Sequence, residues 1–199
     1  EFDNIIIPWD GWEVVSHIGE GGYGTVYKIK SVKSGVTDYA ALKVIRIPSN
    51  TTEHRQIVKD FGSTEKAKAY YIRQKDEFLS EIEILKQFKG TGNIVYIENW
   101  DVRELDDGYS WEIYIQMELL TSLDKKIADE GLPSEEEIIK IGKDICTALK
   151  RCESKNIVHR DIKPENILVN EFGDYKLSDF GIARNLESIT TITGIGARP

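Results

Sequence analysis

Asp161 stands two residues before Lys163 and five before Asn166, and a second aspartate, Asp179, is followed by Phe180-Gly181. A carboxylate can take the proton of an attacking hydroxyl. A second carboxylate and an amide oxygen suit a hard divalent cation. A lysine beside them supplies positive charge for phosphate oxygens. Together these are the parts that phosphoryl transfer requires. A run of charged residues is usually a solvated face. Here, His159-Arg160-Asp161-Ile162-Lys163-Pro164-Glu165-Asn166 sets particular residue types at fixed spacing, which charge alone does not explain.

Far upstream, Gly19-Glu20-Gly21-Gly22-Tyr23-Gly24-Thr25-Val26 has the spacing G-x-G-x-x-G-x-V. Glycines let backbone N–H groups approach phosphate oxygens without a Cβ in the way. Taken alone, such a loop also fits a dinucleotide-binding turn or an ordinary hairpin. A dinucleotide turn opens a helix, whereas Thr25-Val26-Tyr27-Lys28-Ile29-Lys30 alternates with the period of a strand.

The elements that must position these residues fall into two halves. Strands are predicted at Trp12–Val15, Thr25–Lys30 and Tyr39–Ile45, an antiparallel meander that Pro48 ends. Residues 48–72 read as a polar insertion with room for a short helix. A long helix is expected from Ser63 or Thr64 to about Phe88, with Phe78, Ile82 and Leu85 on one face. Strands over 94–102 and 111–118 follow, joined by a turn at Asp106-Asp107-Gly108. The second half is helical. Ser134 to Glu137 has the form of a capping box, and Ile138, Ile141, Ile145, Ala148, Leu149 and Cys152 line one face. Short strands are expected at Ile167–Val169 and Tyr175–Leu177, and a hinge near Leu119–Ser122.

Composition narrows the class. The 199 residues are 40% hydrophobic and 30% charged with a formal net charge of −8, which argues for a globular protein and against nucleic-acid binding. No apolar run reaches the ~20 residues that a membrane span needs. Cys146 and Cys152 lie six residues apart in one helical pattern and point in different directions. Without a disulfide framework, a reducing, cytoplasmic location is expected.

The motifs resemble those of the protein kinase catalytic domain, serine/threonine type, and the resemblance runs from residue 11 to 199. It implies an α+β, protein-kinase-like two-lobe fold. Residues 11–118 would form an antiparallel five-stranded N-lobe with its helix C. Residues 119–199 would form the hinge and a partial, mostly helical C-lobe that stops within the activation segment. The implied activity is transfer of the γ-phosphate of ATP to Ser or Thr hydroxyls of a protein substrate, with Mg²⁺ (or Mn²⁺) as the metal. The alternative is a nucleotide-binding, pseudokinase-like scaffold. By resemblance, Asp161 takes the hydroxyl proton, Lys163 steadies the γ-phosphate, and Asn166 and Asp179 hold the metal. Lys43, in Ala41-Leu42-Lys43, holds the α- and β-phosphates and pairs with Glu81, with Glu77 and Glu83 as the alternatives for that partner. Gly19, Gly21, Gly22 and Gly24 cradle phosphate. Ile18, Val26, Ala41 and Leu168 sandwich the adenine, Met117 is the gatekeeper, and Glu118 and Leu120 offer backbone hydrogen bonds.

His159 is expected to be structural, packing near Phe180 in a hydrophobic spine with Leu85 and Ile97. His17 and His54 are expected to be exposed. Arg160 beside Asp161 resembles kinases switched on by activation-loop phosphorylation, with Thr193 the first choice of site before Thr190 and Thr191. Ala197 departs from the family, which has a threonine there whose hydroxyl contacts the catalytic Asp.

Overall fold

The computed structural model describes the backbone of residues 5–21 and 24–180, and their side chains apart from Gly21 and Glu81. The described residues divide into two compact units. One holds the chain up to Lys86 together with Ile97–Leu119; the other holds Gln87–Tyr96 and the residues from Leu120 on.

The first unit is built from β1 (Trp12–Gly21), β2 (Gly24–Lys33), β3 (Val36–Ile47), α1 (Thr51–Phe61), α2 (Thr64–Lys86), β4 (Ile97–Glu104) and β5 (Trp111–Met117). The strands form one five-stranded sheet in the order β1-β2-β3-β5-β4, every neighbouring pair antiparallel. Alternation gives the sheet two faces. On one, Ile29, Ala40, Leu42 and Tyr114 are buried, and Ile5, Ile7, Trp9, Trp12 and Val14 pack over them. The segment before β1 is therefore part of this core. α2 buries a seam of Ala67, Tyr71, Gln74, Phe78, Ile82 and Leu85, the 3.6-residue stripe that its sequence shows.

Two expectations change here. The strand expected over 94–102 is split. β4 begins at Ile97, while Asn93 to Val95 belongs to the second unit, where the Val95 amide donates to the Leu177 carbonyl at 2.9 Å and the Leu177 amide to that of Asn93 at 2.9 Å. An apolar pattern marks extended chain but not which strand its amides will meet. The insertion does hold a helix, α1. Asn50 caps it, its side chain accepting from the Thr52 and Glu53 amides, and Gly62 ends it in the left-handed region at φ 75°.

The second unit comprises β6 (Thr121–Ser122), α3 (Leu123–Glu130), α4 (Glu135–Glu153), a 3-10 turn (Pro164–Asn166), β7 (Ile167–Val169) and β8 (Tyr175–Leu177). The strands form a sheet in the order β6-β7-β8. β6 and α3 had no counterpart among the expected elements. The capping box at the start of α4 forms by half. Ser134 Oγ accepts from the Glu137 amide at 3.2 Å, but the Glu137 carboxylate accepts instead from the Tyr175 hydroxyl and lies 3.5 Å from Lys126 Nζ. Those contacts, the Tyr175 bond first, hold the Glu137 carboxyl below the usual carboxylate range. Along α4, Ile145, Ala148 and Cys152 are buried, whereas Ile138 is exposed. Both cysteines are free thiols, Cys146 exposed and Cys152 buried.

Gly24 shows how tightly the start of β2 packs against β3. Its φ is +128°, and a Cβ there would lie 2.2 Å from the Val44 carbonyl oxygen. Gly19 has no such φ, and a Cβ would meet nothing within 4 Å. Gly24→Ala should therefore lower the thermal unfolding midpoint by at least about 3 °C, since the strain exceeds the entropy gained. Gly19→Ala should leave the midpoint unchanged, and equal midpoints for the two variants would contradict the packing argument.

Candidate functional site

In the first unit the register gathers the expected nucleotide-facing residues. Gly19 is opposite Val26, Val26 opposite Lys43, and Lys43 opposite Ile115. Two residues along β3, Ala41 is opposite Met117. Directly opposed residues share a face, as do alternate residues of one strand. Val26, Ala41, Lys43 and Met117 thus converge on one face of the sheet, where Lys43 is only 6% exposed. Ile18 lies on β1 beside a register shift and is exposed, while Glu118 follows the end of β5.

The glycines of the loop divide by cause. Gly24 must be glycine because of the Val44 carbonyl. Nothing in the described chain requires glycine at Gly19, so the missing side chain there leaves open space beside Val26 and Lys43. Gly21 ends β1, and Gly22 lies outside the described residues.

Glu81 lies on α2 between the buried Phe78 and Ile82; its side chain is outside the description. Of the two alternatives, Glu83 pairs with Lys86 at 3.2 Å on the exposed side of the helix. Glu77 has one buried carboxylate oxygen without a hydrogen-bond partner, and burial pushes its carboxyl up, against the nearby Arg73.

In the second unit the His159–Asn166 run folds as a tight turn. Pro164 opens the 3-10 turn that ends at Asn166, and the Asn166 amide donates to the Lys163 carbonyl at 3.0 Å. Asn166 Nδ2 donates to the Asp161 carbonyl at 2.8 Å and to Asp161 Oδ2 at 2.9 Å. Lys163 Nζ stands 3.3 Å from the same Oδ2. Two donors on one oxygen fix the orientation of the carboxylate. Leu120 belongs to this unit, as does Leu168 on β7, opposite Ser122.

His159 joins this turn to the Asp179 segment. It is 2% exposed, and its Nε2 lies 2.8 Å from the Ser178 carbonyl oxygen. That oxygen can only accept, so Nε2 carries the proton. Nδ1 accepts from the Asp161 amide at 3.3 Å. Both ring nitrogens are thus satisfied by the neutral tautomer, and burial accordingly pushes the His159 pKa below its usual 6.5. The ring also packs on Phe180, centroid to centroid 4.6 Å, as expected for a structural histidine. What the motif did not show is that the same ring holds strained backbone. Arg160 has φ 65° and Asp179 φ 50°, a region that costs non-glycine residues about 1–3 kcal/mol each. Each is a direct neighbour of a residue that His159 bonds.

Ser178 was not a sequence candidate. Its amide and its hydroxyl both donate to the Asn166 carbonyl, at 2.9 and 3.1 Å. This ties the residue before Asp179 to Asn166. The Nδ2 bonds turn the amide oxygen of Asn166 away from Asp161. That oxygen and the Asp179 carboxylate are a hard-oxygen set that fits a divalent cation. Among the described residues no cluster of three or more His, Cys, Asp or Glu could hold a metal alone, so further oxygens would have to come from a ligand. His54, expected to be exposed, is instead partly buried, stacked on Tyr109 and bonded to Tyr71; His17 is exposed. Thr190, Thr191, Thr193 and Ala197 lie outside the described residues.

With this geometry in place, comparison with known proteins is direct. The chain is 32% identical over 184 residues to a probable serine/threonine-protein kinase, CPE1738, of Clostridium perfringens, covering 90% of this chain and 22% of that protein. It is 30% identical to protein kinase wis1 of Schizosaccharomyces pombe, covering 92% of this chain and 26% of the relative. It is 32% identical to cyclin-dependent kinase 1 of Encephalitozoon cuniculi, covering 88% and 51%. The chain thus spans about half or less of the length of these relatives. Its fold is similar to that in a crystal structure of Rad53 1–466 in complex with AMP-PNP, with a TM-score of 0.61 at 24% identity, covering 86% of this chain and 38% of that one. The protein kinase domain family matches residues 12–197, through both units, and the chain belongs to that family.

Proposed function

We propose that this chain carries the catalytic residues of an ATP-dependent protein kinase that phosphorylates Ser or Thr hydroxyls of protein substrates. The observation that carries the reading is the Asp161 carboxylate, oriented by Lys163 at 3.3 Å and Asn166 at 2.9 Å on one oxygen. A base must be aimed as well as basic. Asp161 accepts the proton of the substrate hydroxyl as that oxygen attacks the γ-phosphate. Lys163, close enough to touch Asp161, offsets negative charge on the transferring group. In the first unit, Lys43 binds the α- and β-phosphates and Glu81 on α2 is its partner. Val26, Ala41 and Met117 on the same sheet face, with Ile18 at the edge and the Glu118 backbone beside them, form the adenine-side surface of the first unit, and Leu120 and Leu168 are the candidates that the second unit carries. Gly19 leaves room for a phosphate beside Val26 and Lys43.

Asn166 and Asp179 would hold a divalent cation, Mg²⁺ in the first instance with Mn²⁺ as a substitute, together with phosphate oxygens. When bound, it neutralises phosphate charge. The names of the relatives support the hydroxyl specificity, and the AMP-PNP of the Rad53 structure supports the nucleotide. Two free cysteines fit a reducing compartment, and we place the protein in the cytoplasm. Among the described residues no helix is long and apolar enough to cross a membrane.

The deciding experiment is transfer of the γ-phosphate to a protein substrate, compared with the Asp161→Asn variant. The variant should lose about 10²- to 10⁴-fold in kcat with KM for ATP little changed. Nucleotide binding without transfer in the wild type would favour the scaffold alternative. Gly19→Ala should raise KM for ATP while the unfolding midpoint holds, and an unchanged KM would remove Gly19 from the phosphate site.

The neutral His159 makes stability depend on pH. Its folded pKa is depressed, so the unfolded chain binds more protons below the ordinary value of 6.5. Its contribution is full above pH 6.5 and declines as pH falls from there through the lower, folded pKa. Thermal unfolding between about pH 7.5 and 5.5, roughly one unit either side of that ordinary value, should show a weaker acid dependence in His159→Gln than in wild type. Parallel curves would contradict the neutral assignment.

A further inference from the structure

α1 has eleven residues and none of them is buried. A helix that short is marginal on its own in water, and its two caps do not dock it. Two of its rings, His54 and Phe61, meet residues outside the helix. The His54 ring is stacked on Tyr109, with centroids 4.2 Å apart and an interplanar angle of 11°. Its Nδ1 is 3.2 Å from the hydroxyl of Tyr71. Tyr71 is a fully buried residue of α2. Tyr109 lies in the turn between β4 and β5, where Asp107 Oδ1 accepts from the amides of Tyr109 at 3.0 Å and Ser110 at 2.8 Å, and the Gly108 amide closes on the Leu105 carbonyl at 3.1 Å. At the far end of α1, Phe61 packs on Tyr70 of α2 with centroids 5.3 Å apart.

His54 therefore links the first half of α2 to a hydrogen-bonded turn of the sheet. Farther along α2, Lys75 lies over Trp111 and Lys86 over Trp100, each 5.6 Å from a ring centroid. Glu81 sits ten residues after Tyr71 on the same helix, about 15 Å along its axis. A continuous helix transmits rotation at one end to the other. We propose that His54 is a positioning residue for phosphoryl transfer: through Tyr71 and Tyr109 it sets the orientation of α2, the helix that carries Glu81. The role rests on the phosphoryl-transfer reading above.

The test uses the full protein that contains this chain, with kcat and KM for ATP measured alongside amide hydrogen exchange of α2. His54→Ala should lower kcat about tenfold, the value of an aromatic stack expressed as a rate, with KM for ATP within about twofold. Exchange in the first half of α2 should rise. His54→Phe, which keeps a ring on Tyr109, should recover most of the lost kcat. Wild-type kcat in His54→Ala overturns the positioning role, as does a loss that His54→Phe shares in full. If His54→Ala fails to fold, Tyr109→Leu removes the ring stacked on His54 instead. Lowered kcat at constant KM then supports the role, and wild-type kcat overturns it. A wild-type protein without transfer sensitive to Asp161→Asn overturns the phosphoryl-transfer reading itself, and the positioning role with it. Active wild type alongside an indistinguishable His54→Ala overturns the positioning role alone.

Discussion

The second unit depends on the bond from His159 Nε2 to the Ser178 carbonyl. Two segments that are each unfavourable by themselves meet at that ring. One contains Arg160 and the other Asp179, both with positive φ. Left to local preference, each would relax toward ordinary backbone geometry. A buried imidazole with one donor and one acceptor satisfies a carbonyl on one side and an amide on the other, and so holds both strained residues at once. Protonation would put a second donor against the Asp161 amide and leave a charge in a buried site, so the bridge exists only in the neutral form.

From that bridge the rest of the candidate site follows in sequence. Ser178, fixed by its carbonyl, gives its amide and hydroxyl to the Asn166 carbonyl. Asn166, fixed in turn, gives its side-chain amide to Asp161. The result is a chain of hydrogen bonds in which a change at any member moves the carboxylate at the end. Networks of this kind are strong when every member is satisfied and costly when one is not. A histidine that touches no substrate can therefore matter as much as the residues that do.

The first unit positions its residues by register. Val26, Ala41, Lys43 and Met117 share a face because adjacent antiparallel strands set them opposite one another or at alternate positions. A slip of one residue would send all four to the other face. Gly24, closely packed on the Val44 carbonyl, opposes such a slip between β2 and β3. α2 brings a different constraint, since its orientation about its own axis decides where Glu81 lies. Its seam of buried residues and its lysines over Trp100 and Trp111 restrict that rotation.

Much of this was legible in the chain before any coordinates. The strands of the meander, the start of α2 at Thr64, the α4 cap at Ser134 and the short strands around the catalytic turn all come from periodicity and capping residues, which are local properties. The candidate residues Asp161, Lys163, Asn166 and Asp179 were equally visible, because phosphoryl transfer would demand particular side-chain types and these stand in the chain. Residues 48–72 read only as a polar insertion with room for a short helix, because α1, capped by Asn50 and Gly62, has no buried face to give its sequence a period. Other features had no local signature. Glu137 has the capping-box position, yet its carboxylate goes to Tyr175, thirty-eight residues away. Asn93 to Val95 reads as the start of β4 but gives its hydrogen bonds to Leu177. His54 reads as a polar residue of an insertion until Tyr71 and Tyr109 close on its ring. Sequence by itself determined where the longer helices and most strands run, though not β6 or α3, and which side chains could do chemistry. Only the tertiary structure decided which partner each donor, acceptor and ring would meet, because those partners lie far apart in the chain and are chosen by packing.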